Sequence, residues 1–154
     1  MNHEMRRSDR RLAEDEAKQI LMQGEYGILS TIGEDGFPYG VPLSYAFDGE
    51  KIYFQCATNV GHKLENLDFS NKACFTVVGK TQVLPEKFAT KYESVVVFGT
   101  VTPASDKLAA LELIRAKYSP DFEEQGKKYA KAAESKVAVY ELQILELTGK
   151  ARKA

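Results

Sequence analysis

The spacing of apolar residues changes several times along the chain, and each change marks an element. Ala13, Ala17, Ile20 and Leu21 recur at i, i+4, i+7 and i+8, the stripe of one helix face over residues 13–23, and Gly24 follows as a helix-ending glycine. From Tyr26 the period shortens. Gly27-Ile28-Leu29-Ser30-Thr31 reads as a short strand and Glu34-Asp35-Gly36 as a tight turn. Val41, Leu43, Tyr45 and Phe47 then alternate with Pro42, Ser44 and Ala46, as in a strand buried on one face. Pro42 has no N–H to give to a ladder, so this strand lies at an edge or is interrupted there. Neighbouring backbone groups are then free to meet a ligand. Asp48-Gly49 signals a hairpin, because such turns need positive φ, and Lys51–Ala57 is the return strand.

After Gly61 a helix begins, with Leu64 and Leu67 on one face. Two apolar strands follow, over 73–78 and 94–101. The second lacks alternation, which predicts burial of both faces, one in a barrel interior and the other under a helix or a second subunit. The polar stretch 79–93, with Pro85, reads as a loop long enough for a functional or interface role. Ser105 is placed to cap a helix that carries Leu108, Leu111 and Ile114 and stops at Ser119-Pro120. Residues 121–136 read as a polar surface helix. In the last strand, 137–147, Ala138, Tyr140, Leu142 and Ile144 share one parity and Leu145 and Leu147 the other. A bulge between Ile144 and Leu145 reconciles them. The expected fold is mainly β: a six-stranded antiparallel split barrel with peripheral helices, one domain over 1–154 with an arm at 1–12. A doubly wound sheet is disfavoured because regular strand–helix alternation is missing.

Composition narrows the function classes. The chain has 154 residues, the size of one ordinary domain, and 21 basic residues against 22 acidic ones, which argues against a nucleic-acid footprint. Arg6, Arg7, Arg10 and Arg11 cluster in the arm, but acidic residues interleave them and a solvated arm is the simpler reading. Cys56 and Cys74 are the two cysteines, both inside apolar strands, and read as reduced core thiols. His3 and His62 are the two histidines, too few for a metal centre. No apolar run approaches the ~18 residues that span a membrane. The expectation is a soluble, cytoplasmic protein without metal, nucleic-acid partner or membrane anchor.

The segment with chemistry in it is Gly61-His62-Lys63, where a strand hands the chain to a helix. Free N–H groups and the helix dipole favour an anion there. Cationic side chains in a first turn oppose the dipole of an isolated helix, and a bound phosphate reverses that sign. Spacing alone leaves two readings open: a phosphate site, or a solvated Lys63 beside a locally packed His62. No glycine-rich phosphate loop of the Rossmann or P-loop kind occurs.

Pro38-Tyr39-Gly40-Val41-Pro42-Leu43-Ser44, Ile52-Tyr53-Phe54-Gln55-Cys56-Ala57, Gly61-His62-Lys63 and Ser94-Val95-Val96-Val97-Phe98-Gly99, in that order, resemble the pyridoxamine-5′-phosphate-oxidase-like flavin-binding split barrels. Within them the chain looks most like the nitroimidazole-resistance group, whose start the run Met5-Arg6-Arg7-Ser8-Asp9-Arg10 also resembles. The resemblance implies a homodimer holding FMN at the subunit interface. By matching position, the backbone of Val41, Pro42, Leu43 and Ser44 would lie along the isoalloxazine edge. Gln55, Cys56 and Ala57 would form the neighbouring wall, and His62 and Lys63 would hold the phosphate, with Asn66 as an addition on the same helix face. Ser94 and Val95 would approach from the partner chain. Many members of the group carry histidine where this chain has Gln55, which cannot act as an acid or base near neutral pH. The implied activity is reduction of a small nitroaromatic or quinone-like acceptor with no assignable catalytic side chain. The alternative is a module that binds flavin, or a haem-related or deazaflavin cofactor, without turnover.

Overall fold

The computed structural model describes residues 3–58 and 61–153. Helix α1 (Glu14–Gln23) is followed by strands β1 (Gly27–Ile32), β2 (Pro38–Leu43), β3 (Ala46–Phe47) and β4 (Lys51–Ala57) and by helix α2 (His62–Phe69). Strands β5 (Lys72–Leu84) and β6 (Ala89–Pro103), helices α3 (Lys107–Tyr118) and α4 (Glu123–Ala133) and strand β7 (Val137–Arg152) complete the order. All strands join one antiparallel sheet in the order β2-β1-β5-β6-β7-β4-β3. The two edges, β2 and β3, are consecutive in the chain and linked only through Ser44 and Tyr45, so the sheet curls into a split barrel. Pro42 sits on an edge strand, as its missing donor requires.

Seven strands form instead of six because the alternating run 41–47 is broken. Tyr45 turns its ring into the core, where its hydroxyl donates to the Leu21 carbonyl at 2.5 Å. Residues 46–47 therefore pair with β4 as a separate strand. Inside the barrel Tyr45, Phe54 and Phe75 are fully buried, with Tyr45 and Phe75 edge-to-face at 4.9 Å. Each such side chain contributes about 1.5–3 kcal/mol of burial. Helix α1 closes the barrel over β5, β6 and β7 with Ala17, Ile20 and Leu21. Gly24 ends it at an ordinary negative φ of −59°, and the glycine is needed for space: a Cβ there would lie 2.3 Å from the Tyr45 hydroxyl.

The largest correction concerns 79–93, which is not a loop. Strands β5 and β6 continue through it as a long hairpin closed by a 3-10 turn at Pro85–Lys87. Much of this arm faces solvent, so its ladder needs no apolar alternation and the sequence carries no periodic trace of it. At the register shift between Val78 and Thr81 the Lys80 N–H donates to Glu93 Oε1 at 3.0 Å instead of to the ladder. The same extension carries β7 to Arg152, since Thr148–Arg152 pair with Tyr92–Val96.

The bulge in the last strand is present. Phe98 faces Glu146 and Gly99 faces Ile144, so Leu145 is left over and 57% exposed. Burial of both β6 faces is met only in part, because Val95 and Val97 are enclosed while Val96 is half-buried and Phe98 is 36% exposed. Helix α3 is capped by Asp106, whose Oδ1 accepts the Ala109 N–H at 3.1 Å. Ser105 instead gives its N–H to the buried Glu141 at 2.8 Å. Leu108 is exposed, and Ala110 with Leu111 forms the packed face. Helix α4 buries nothing fully, as its polar sequence predicts. Among the described residues no helix is long and apolar enough to cross a membrane.

Candidate cofactor site

Strand β4 sends Ile52, Phe54 and Cys56 into the core and leaves Gln55 and Ala57 exposed on the outer face. The chain reaches α2 through Gly61, which holds φ +110°, a conformation that side-chain-bearing residues rarely adopt, with nothing within 4 Å of where a Cβ would stand. Among the described residues nothing covers the backbone at Gly61 as it enters the helix, and no side chain caps it. His62 is exposed and stacks on Tyr39 with ring centroids 4.0 Å apart and planes 25° off parallel. Tyr39 belongs to β2, so this contact sets the free edge of the sheet beside the start of α2. Lys63 is half-buried and forms no ion pair among the described residues.

The buried side chains of α2 anchor it. Leu64 and Leu67 enter the core, and Asn66, 4% exposed, donates from Nδ2 to the Thr31 hydroxyl at 3.1 Å. Asn66 thus ties α2 to β1, one turn along the helix from His62 and Lys63. On β2, Val41 and Leu43 pack against the core while Pro42 is exposed, as is Ser44 just beyond the strand. Ser94 is half-buried on β6, and Val95 is fully buried in the core. Two strands, β1 and β5, separate β6 from β2.

Both thiols are held protonated. Burial pushes the Cys56 thiol up, with a smaller opposing pull from the Lys63 charge, and burial raises Cys74 against a weak contact to Thr76. Neither has the depressed pKa of a nucleophile. Among the described residues no three His, Cys, Asp or Glu side chains gather as a metal site.

Sequence reasoning missed the clamp at the end of α3. The Tyr118 hydroxyl donates to the Glu25 carbonyl at 2.6 Å and accepts the Tyr45 N–H at 3.0 Å. With its one proton committed to Glu25, the Tyr45 carbonyl is served by Lys117 Nζ at 2.9 Å. The same ammonium lies 3.7 Å from the centre of the Tyr45 ring, a cation–π contact, and burial lowers its pKa to about 8. Both backbone groups of Tyr45 are therefore held by α3 side chains where the two sheet edges meet. A Lys-Tyr pair at a helix end carries no signal for this in sequence.

Solved structures with the same fold cover almost the whole chain. A candidate 5-nitroimidazole antibiotic resistance protein from Bacteroides thetaiotaomicron is 22% identical over 92% of this chain and 86% of its own, with a TM-score of 0.78. The flavocytochrome Anf3 from Azotobacter vinelandii is 20% identical over 99% of this chain and 73% of its own, with a TM-score of 0.77. An FAD-binding protein from Mesorhizobium loti is 24% identical over 92% and 95%, with a TM-score of 0.63. No curated protein matches by sequence. The family model described as pyridoxamine 5′-phosphate oxidase matches residues 13–151, nearly the whole barrel with its helices, and the chain belongs to that family.

Proposed function

We propose that the protein binds FMN as a homodimer, with the phosphate at the start of α2 and the isoalloxazine along β2 and β4. The observation that carries this is the helix start, which no described residue covers: Gly61 at positive φ, His62 and Lys63 in the first turn, and no carboxylate among the described residues paired to Lys63. Helix N–H donors with a free cation fit a phosphate dianion. The exposed residues Pro42 and Ser44 and the Gln55 and Ala57 wall are the groups that would meet the ring system. The side chains of Cys56 and Val95 point into the core, so both would act through their backbones. Asn66 would hold α2 on β1 and support the phosphate site from behind. Ser94 would reach the cofactor from the second subunit, since β6 lies two strands away from β2 within one chain. Proteins of this fold in other organisms are described as a flavocytochrome and as FAD-binding, which supports a flavin.

Bound flavin would supply the electron chemistry, and the chain would bind, orient and shield it. We read the activity as reduction of a small nitroaromatic or quinone-like acceptor in the cytoplasm. One observation favours a second reading, a carrier without turnover: Gln55, exposed on the wall, is neutral at every ordinary pH and supplies no proton-transfer group. Reduction of the bound flavin by NAD(P)H and reoxidation by a nitroaromatic supports the enzyme. Flavin that stays oxidised under both donors leaves the carrier.

A further inference from the structure

Helices α3 and α4 leave a groove of about 620 Å³ between them, and Ser44 and Gln55 form part of its wall. These are two of the residues that the flavin reading sets against the cofactor, so the groove and the cofactor wall share a border. Leu111 and Ile114 of α3 supply apolar lining, and Phe122 and Tyr129, 57% and 66% exposed, stand over it uncovered by this chain.

The groove offers no net charge to a ligand. Arg115 is the one charged side chain lining it, and its charge is already paired: three of its N–H groups donate to both Glu112 oxygens at 2.7 and 2.9 Å and to the Ser119 carbonyl at 2.9 Å. An anionic ligand would lose water and have to compete with Glu112 for the guanidinium, and a cationic one would meet no carboxylate in the lining. The Gln55 and Gln125 amides and the Ser44 hydroxyl provide neutral hydrogen-bond donors.

The groove is also fixed relative to the cofactor wall. Lys117 and Tyr118 tie α3 to the Tyr45 backbone, one residue from Ser44. Helix α4 closes on α3 through Gly126, where a Cβ would lie 2.2 Å from Arg115 Cδ.

We propose that this groove binds the acceptor, an uncharged, flat conjugated ring molecule with oxygen atoms at its rim, of quinone type. The role given to the ligand rests on the flavin reading; its binding rests on the groove alone. The test titrates flavin-free protein with duroquinone, followed by quenching of tyrosine emission, since the chain has no tryptophan and Tyr118 and Tyr129 line the groove. Phe122→Ala, which removes the aromatic wall, and Ala133→Phe, which fills the groove, are each expected to raise the dissociation constant roughly ten-fold or more, with FMN affinity unchanged. The anionic 2,5-dihydroxybenzoquinone is expected to bind more weakly than duroquinone. Unchanged duroquinone affinity in both variants, no binding to wild type, or equal binding of the anion would overturn the proposal. A protein that takes up no FMN yet binds duroquinone in this variant-sensitive way sinks the flavin reading and leaves the groove standing.

Discussion

Replacing Lys63 by alanine separates the phosphate site from the rest of the cofactor site. The ammonium is half-buried in the first turn of α2, and no carboxylate among the described residues competes for it. Two unit charges about 4 Å apart interact by about 4 kcal/mol at an effective dielectric of 20. Partial exposure and the helix N–H donors that remain reduce the loss to about 1.5–3 kcal/mol, the range of a charge-assisted hydrogen bond. That corresponds to roughly 10- to 100-fold in the dissociation constant of FMN. Riboflavin has the same ring system and no phosphate, so its affinity should change by no more than about two-fold. The assay is equilibrium titration of wild type and Lys63→Ala with both ligands, read by quenching of flavin fluorescence. Equal losses for FMN and riboflavin would refute the phosphate assignment, because the lysine would then be acting on the fold or the ring.

Other consequences concern the framework of the site. Lys117 has a folded-state pKa of about 8, below its ordinary 10.5, so between about pH 8 and 10 the unfolded chain binds more protons and stability should rise with pH from this group. The wild-type minus Lys117→Met difference in unfolding free energy, measured by urea titration across that window, should show the rise, and a flat difference would contradict it. Glu141 is buried between Lys51 Nζ at 2.5 Å and the Ser105 N–H at 2.8 Å, and the Lys51 contact holds its pKa down. Lys51→Met should therefore lower the urea midpoint of unfolding at neutral pH, and lower it by less as falling pH protonates Glu141; an unchanged midpoint would mean that water replaces the lysine. A Cβ at Gly27 would lie 2.2 Å from the fully buried Phe75 ring, whereas one at Gly36 meets nothing within 4 Å. Gly27→Ala should lower the melting temperature more than Gly36→Ala, which has only its positive φ of 82° to contend with.

Residues whose local chemistry sets their structure were legible in the sequence. Pro42 marked an edge strand, Asp48-Gly49 a hairpin, and the parity switch at Ile144 and Leu145 a bulge, and each stands where its backbone constraint requires. The β5–β6 arm was not legible, because a ladder exposed to solvent leaves no hydrophobic period to read. The break at Ser44–Tyr45 was hidden for another reason. Tyr45 fits the alternation of a strand, and what removes it from the ladder is a tertiary event, capture of its backbone by Lys117 and Tyr118 from 72 and 73 residues further along the chain. At the site, Gly61-His62-Lys63 pointed to an uncovered helix start. That Asn66 turns inward, and that Tyr39 rather than a carboxylate meets His62, follow from packing between β2 and α2, which no spacing encodes.

The central claim, FMN held between β2, β4 and α2, is tested most directly by mixing the purified protein with excess FMN and recording the absorption spectrum of the gel-filtered protein peak. The account predicts a yellow protein at the elution volume of a dimer, carrying one flavin per subunit. A colourless peak that retains no FMN would contradict it.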